Sequence, residues 1–248
     1  MIKVLIFDGS FEGFLTSIYE GFYLKSMEIE IHSIYSHVAN FLNMEVTIIT
    51  DEDKASKVYN SVKNKLNGDT LKNLYYLYLY DDNEAFTLGF KYLKLAFKYG
   101  SSINLAKNNN IIILVDKFSR RVTLEAHKFT GFVRFTEIGP LTFYSKIEPD
   151  NNILPLLVDH FAMRFNDENF IIHDAKRETA IVYNKQEAII VPFSNSQAEK
   201  IIHNSKDEIY SSLWKSFYKS TTIKERLNPR LQRNYMPKRY WKNLNELH

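Results

Sequence analysis

A continuous run of apolar residues opens the chain. Residues 2–7, IKVLIF, have the length and composition of a strand that is buried on both faces. After the turn DGS, apolar side chains recur every three or four residues as far as Phe22, which predicts an amphipathic helix. A second strand is predicted at 45–49, followed by a helix that ends near Gly68. This alternation of strand and helix predicts a small parallel sheet.

Helices are predicted to dominate the middle of the chain. Residues 70–99 read as one or two helices rich in tyrosine, leucine and phenylalanine, and 103–126 as another. Strand-like segments follow at 131–138, 141–147, 170–174 and 178–184. A helix is predicted at 152–165, between the second and third of these strands, and a long helix at about 196–220. We therefore predict an α+β (mixed α/β) fold. It has an N-terminal strand-helix-strand-helix unit, central helices, antiparallel strands with an intervening helix, and a C-terminal helix with a basic tail.

Composition marks no domain boundary. The 248 residues suffice for one large domain or two small ones, and we predict one compact unit over 1–248 with a strand and helix part at 1–83. Because cysteine is absent, disulfides, thiolate zinc sites and cysteine nucleophiles are excluded. The longest apolar run, 74–80, is too short to span a bilayer, and the N-terminal run is too short for a secretory signal. We therefore expect a cytoplasmic protein that does not enter a membrane.

Positive charge is concentrated at the C-terminal end. Residues 214–248 contain nine basic and two acidic side chains, whereas the first 213 residues carry a formal net charge of −4. Arginine use is also uneven, since the chain has nine arginines against 23 lysines and none of the nine lies in the first 119 residues. A guanidinium grips phosphate with two donors and stacks on aromatic rings, so these arginines point to positions where that chemistry matters.

A basic and aromatic tail is typical of a surface that holds nucleic acid. We predict that its cations contact phosphates and that bases stack on its rings, at Arg226, Arg230, Arg233, Lys238, Arg239, Tyr240 and Trp241. The alternative is a structural strap, in which two prolines fix the backbone and the apolar side chains of the tail pack it onto the core.

The turn FDGSFEGF supplies the first catalytic candidates. Asp8 leaves a buried strand and Glu12 lies in the first turn of the next helix, at the end of the sheet where ligands of α/β proteins bind. The pair would serve as an acid–base or metal site. The alternative is that Ser10 caps the helix and Glu12 favours its positive end. The sequence contains none of the familiar motifs of nucleotide-binding proteins, zinc proteases and hydrolases. No metal site is predicted. His32 and His37 are interpreted as ordinary surface residues.

The central block supplies a second group. If the predicted strands align, His127 and Arg134 meet His160 and Arg164 from the neighbouring helix, because residues four apart share a helix face. Together with Arg177, these side chains suit phosphate or a nucleic-acid backbone, and the two histidines are candidate catalytic groups. The alternative is a satisfied polar seam between helix and sheet.

Three ordered blocks resemble a known family: FDGSFEGFLTSIYE at the start, EAHKFTGFVRF with HFAMRF and IIHDAKR in the middle, and NPRLQRNYMPKRYWKNL at the end. They are similar to the bacterial family labelled probable DNA metabolism protein, over nearly the whole chain. The resemblance implies a domain of unknown function at about 84–244 that includes the basic tail. It also implies a role in DNA repair or DNA modification beside a radical-SAM protein, and longer relatives carry a uracil-DNA glycosylase domain. It brings no catalytic residues.

We therefore expect an accessory protein without catalysis or cofactor, which binds DNA and presents it to a radical-SAM or glycosylase partner. Two alternatives stay open. One is an enzyme acting on DNA, whose site joins Asp8 and Glu12 to the central histidines and arginines. The other is a protein whose basic tail docks on an acidic partner and never touches DNA.

Overall fold

The computed structural model of the chain describes residues 2–24, 28–202 and 228–244. The chain divides into two compact units, residues 1–123 and 124–248, and the division falls within one helix. Helices accompany two separate sheets, which confirms the predicted α+β class. That the whole chain forms one compact unit stays a prediction. No helix within the described ranges has the length and apolar character needed to cross a membrane.

The first unit is built on a parallel three-stranded sheet of order β2-β1-β3. Its strands are β1 (Ile2–Phe7), β2 (Glu28–Ser33) and β3 (Met44–Thr47), and its helices are α1 (Phe11–Tyr23), α2 (Glu52–Lys65), α3 (Gly68–Leu79) and α4 (Asn83–Tyr99), with a short 3-10 helix at Ser101–Leu105. The apolar β1 forms the centre of the sheet because both of its faces are covered. On one face Phe7 meets Phe86 of α4 edge to face, with ring centroids 5.0 Å apart.

The strand β2 was not predicted from the sequence. Its residues EIEIHS alternate in burial, with Ile29 and Ile31 in the core and Glu30 and His32 on the opposite face. A strand of six residues with so many polar side chains gives a weak signal. Pairing with β1 selects the extended conformation, because it buries the two isoleucines and satisfies the backbone.

The second unit contains a mixed five-stranded sheet of order β4-β5-β6-β7-β8. Its strands are β4 (Thr136–Gly139), β5 (Thr142–Ile147), β6 (Asn169–Asp174), β7 (Thr179–Tyr183) and β8 (Ala188–Pro192). The helix α5 (Asn110–Phe132) leads into this unit, which also contains α6 (Leu154–Arg164), α7 (Asn195–Ile202), α8 (Pro229–Tyr235) and a 3-10 helix at Lys238–Asn243. The strands β5 and β6, which flank α6, run parallel, whereas the other neighbouring pairs are antiparallel.

Several predicted boundaries in this unit are wrong. The strand expected at 131–138 begins only at Thr136, because α5 continues to Phe132. Because the chain is helical here, it places Ala126, Phe129 and Val133, which are three and four residues apart, in the buried core. The prediction also missed β8. The helix expected at 196–220 is described from Asn195 to Ile202, and the remainder lies outside the described residues.

Candidate functional site

The C-terminal segment, residues 228–244, is anchored by a buried tyrosine. The side chain of Tyr240 is only 4% exposed, and its ring lies edge-on to Phe129 of α5 with centroids 5.0 Å apart. Its hydroxyl donates a hydrogen bond to the buried carboxylate of Glu125 on the same helix. Leu244, at the end of the segment, is 1% exposed. The segment is therefore fastened to the core at both Tyr240 and Leu244.

The carboxylate of Glu125 is a buried hub of hydrogen bonds. It accepts from the backbone N–H of Asp150 at 2.8 Å, and from the backbone N–H and side-chain amide of Asn151 at 2.9 and 2.6 Å. Burial, reinforced by the bond to Glu125, raises the pKa of the Tyr240 hydroxyl above its ordinary value. Tyr240 therefore stays protonated and acts as the donor to this hub.

Two cations of the segment also have structural partners. Arg239 lies 2.7 Å from a carboxylate oxygen of Asp150, and Lys242 is paired with Glu148. The Arg239 guanidinium also lies over the Tyr240 ring, 4.6 Å from its centroid. This part of the segment matches the strap alternative. The burial of Tyr240 argues against its predicted role in base stacking, because α5 covers its ring.

Other cations of the segment point to solvent. Arg230, Arg233 and Lys238 are exposed, as is Tyr235, whose exposed fraction is 67%. Arg233 donates through Nε to the carbonyl of Pro229, which orients its guanidinium. Within the described ranges neither Arg230 nor Lys238 has a carboxylate partner. The segment therefore presents exposed positive charge on an anchored backbone. Arg226 lies outside the described residues.

Trp241 has a mixed environment. Its indole N–H donates to the carbonyl of Met236 at 2.8 Å, and Lys238 lies 5.8 Å from its ring centroid. The side chain is half-buried. Its predicted contact with bases stays a prediction.

Arg177, predicted to contact nucleic acid, is engaged inside the second unit. Its guanidinium lies 3.0 Å from the Oδ2 of Asp174 and donates to the carbonyl of Asp150 at 2.8 Å. Asp174 is completely buried. Burial raises the pKa of this carboxyl, whereas the Arg177 charge opposes the rise. These contacts give Arg177 a structural role in closing the turn between β6 and β7.

The remaining central candidates contact different neighbours. Arg134 donates to the Gly131 carbonyl at the end of α5, and Arg164 lies 6.0 Å from the ring centroid of Phe165. His127 is exposed, whereas the ring of His160 packs edge-on against the next residue of α6. A surface shared by these arginines and histidines stays a prediction.

Asp8 fastens the turn that follows β1. Its carboxylate accepts from the backbone N–H and hydroxyl of Ser10, at 2.9 and 2.6 Å, and from the hydroxyl of Thr50 at 2.8 Å. Burial favours the neutral acid, but these donors outweigh it and lower the pKa of Asp8. Ser10 caps α1, and Glu12 is exposed in its first turn. This arrangement agrees with the alternative in which Ser10 caps the helix and Glu12 lies at its positive end. A catalytic role for Asp8 and Glu12 stays a hypothesis.

A buried histidine–tyrosine pair was missed by the sequence analysis. Nδ1 of His173 lies 2.8 Å from the Tyr144 hydroxyl, and His173 is completely buried. Burial, followed by the charge of Lys146, lowers the pKa of His173, and burial raises that of Tyr144 to about 12. A cavity of about 250 Å³ adjoins the pair and is lined by Tyr144, Lys146, Glu148, Ala175, Asn195, Ala198 and Glu199. The parallel register of β5 and β6 brings Tyr144 and His173 close together.

A second pair of titratable side chains lies in the first unit. The Nδ1 atoms of His32 and His37 are 3.0 Å apart, and both side chains are largely buried. Their interpretation as ordinary surface residues is therefore wrong. The sequence signal that identifies them is the alternation of β2, which puts Glu30 and His32 on one face. In the described ranges no three His, Asp or Glu side chains are grouped as metal ligands.

The fold and these sites define an α+β protein with a basic C-terminal segment anchored on a buried glutamate. The chain belongs to the family defined by DUF4130, a domain of unknown function whose model matches residues 83–246. The match begins at the first residue of α4 and includes the C-terminal segment. No curated protein matches the sequence.

Proposed function

We propose that the protein binds nucleic acid through its C-terminal segment and serves as an accessory in DNA repair or modification. The observation that supports this proposal is that some residues of the segment are buried and others are exposed. Tyr240 and Leu244 hold it to the core, while Arg230, Arg233 and Lys238 remain exposed. Cations on a fixed backbone bind phosphate at a smaller entropic cost than cations on a flexible tail.

The aromatic content of the segment adds a second element of recognition. Tyr235 follows Arg233 on α8 and is exposed, so its ring is available to a base. Stacking on an exposed ring contributes about 1–3 kcal/mol per base and does not depend on base identity. This arrangement suits single-stranded or locally opened DNA, in which bases leave the duplex stack.

The proposed partner is a radical-SAM protein that modifies or repairs DNA, or a glycosylase. The resemblance to the probable DNA metabolism family supports this choice. Because the chain contains no cysteine, it supplies no thiolate ligands for an iron–sulfur cluster, so such a cluster would belong to the partner. In this proposal the chain holds the DNA and the partner performs the chemistry.

The test compares two triple variants of equal charge. In the first, Arg230, Arg233 and Lys238 become glutamine; in the control, the exposed Lys57, Lys63 and Lys65 of α2 become glutamine. Fluorescence anisotropy with labelled single-stranded and duplex DNA is recorded over a range of salt concentrations. We expect the first variant to bind more weakly and its salt slope to flatten by about 2 to 3, because three phosphate contacts are lost. The control should retain most of its affinity.

Two results would contradict the proposal. Equal affinity and salt slope in the wild type and the first variant would remove DNA from the role of the segment and favour docking on an acidic protein. Cleavage or modification of DNA by the purified protein alone, abolished by Asp8→Ala, would instead favour the enzyme alternative.

A further inference from the structure

Two imidazoles face each other on one face of the first sheet. His32 lies on β2, and His37 lies in the connection of residues 34–43 that leads from β2 to β3. Their Nδ1 atoms are 3.0 Å apart and their ring planes are inclined by 51°. The exposed fractions of the two side chains are 18% and 11%, so each imidazole is largely but not completely withdrawn from water.

A carboxylate lies on the outer side of each ring. Oε2 of Glu30 is 3.2 Å from Nε2 of His32, and Oε1 of Glu45 is 3.1 Å from Nε2 of His37. Nε2 of His37 has no hydrogen-bond partner among the described residues, so its contact with Glu45 acts through charge. Both carboxylates favour a proton on Nε2 of the adjacent ring. That tautomer leaves a lone pair on each Nδ1 atom, on the side where the two rings face each other.

Two lone pairs at this distance repel unless the two atoms share a proton or a metal ion. We propose that His32 and His37 bind one divalent transition-metal ion, of the zinc, nickel or copper class, through their Nδ1 atoms. Neutral imidazole is a preferred ligand of these metals, and an outer carboxylate that fixes the histidine tautomer is the usual second layer of such sites. The present separation of 3.0 Å corresponds to an N–metal–N angle of about 91–97° for metal–nitrogen bonds of about 2.0–2.1 Å. Water completes the coordination.

The sheet holds these groups in place before any metal arrives. In the parallel register, Glu30 and Glu45 both lie beside Val4 of the central strand, and His32 lies beside Ile6. Glu30, His32 and Glu45 therefore occupy one face of the sheet. His37 contacts groups from both edge strands, so a metal bound there would also fasten the connection 34–43 to that face.

The first experiment measures metal binding directly. Protein stripped with a chelator is titrated with Zn²⁺, Ni²⁺ and Cu²⁺, each in competition with a chromophoric chelator. We expect one equivalent to bind, with the affinity falling at least about 100-fold in His32→Gln and in His37→Gln because each loses one of two protein ligands. Glu30→Gln should lose about 10- to 100-fold, since it alters only the outer layer. The exposed His127→Gln serves as the matched control and should bind as the wild type does.

A second measurement needs no variant and so does not depend on variants that fold. In protein labelled with ¹⁵N-histidine, stoichiometric Zn²⁺ should shift the Nδ1 resonances of two histidines and leave their Nε2 atoms protonated. Absence of stoichiometric binding would overturn the proposal, as would uptake that both histidine substitutions leave unchanged. A proton shared by the two Nδ1 atoms that persists in excess metal would overturn it as well. The proposal does not rest on nucleic-acid binding.

Discussion

Tyr240 donates a hydrogen bond to the buried carboxylate of Glu125, which lies 115 residues earlier in the chain. This bond joins the C-terminal segment to the helix α5. It fixes the described part of the basic tail, residues 228–244, because the tyrosine is buried while neighbouring cations are exposed. The strap interpretation therefore fits Tyr240 and Leu244, whereas contact of the exposed cations with nucleic acid stays a proposal.

The role of the Tyr240 hydroxyl as an anchor can be tested by removing its oxygen atom. In Tyr240→Phe the ring remains but the Glu125 carboxylate loses one donor, so we expect the free energy of unfolding to fall by about 1–3 kcal/mol. Urea denaturation followed by circular dichroism measures this loss. Tyr235→Phe removes the same atom from an exposed ring and should change stability by less than about 0.5 kcal/mol. Equal effects in the two variants would refute a specific role for the Tyr240 hydroxyl.

The ion pair of Arg177 and Asp174 gives a second prediction. Arg177→Met leaves a completely buried carboxylate without its cation, which should cost about 3–5 kcal/mol of stability. Adding Asp174→Asn removes the uncompensated charge and should restore part of that loss. Thermal denaturation of both single variants and the double variant completes the cycle. If Arg177→Met is as stable as the wild type, the structural assignment of Arg177 is wrong and its predicted contact with nucleic acid regains support.

His173 makes stability depend on pH. Its pKa lies below the ordinary 6.5 because of burial and then the Lys146 charge, so the unfolded chain binds this proton more tightly than the folded protein. The stabilisation is complete above pH 6.5 and is lost as the pH falls through the depressed folded pKa. Within that window we expect the free energy of unfolding to decrease by up to about 1.4 kcal/mol per pH unit. The measurement is urea denaturation across the pH range.

Two variants isolate this effect from other titrating groups. His173→Gln should reduce the pH dependence that begins near pH 6.5. His32, whose pKa burial also lowers, contributes to the part that remains. His127→Gln makes the same substitution at an exposed histidine and serves as the comparison. A His173→Gln profile that matches the wild type would show that the buried imidazole does not control stability in this window.

Gly13 tests the turn around Asp8. A Cβ atom at this position would overlap Asp8 Oδ1 and lie 2.8 Å from Thr50 Oγ1. Gly13→Ala should therefore lower the free energy of unfolding by about 1–3 kcal/mol, despite the better helix propensity of alanine. At Gly131 on α5 a Cβ meets no atom within 4 Å, so Gly131→Ala should instead stabilise the protein by about 0.4–1 kcal/mol. Stabilisation by both substitutions, measured by denaturation, would contradict the packed turn.

The sequence by itself determined the elements with strong local patterns. The apolar run of β1 and the three- and four-residue spacing of α1 both lie where they were predicted. Local chemistry suffices there, because one face or both faces of such an element must be buried wherever it packs. The absence of cysteine and the positive charge of the C-terminal segment also follow from the sequence alone.

Tertiary structure decided the elements and side-chain roles that depend on distant partners. The short β2 gains its extended form by pairing with β1, and α5 extends to Phe132 through a region that reads locally as strand. The opposition of His32 and His37 and the link from Tyr240 to Glu125 depend on how separate segments are folded together. Burial and hydrogen-bond partners, which decide whether a basic or aromatic residue stabilises the protein or faces a ligand, are properties of that packing and not of the local sequence.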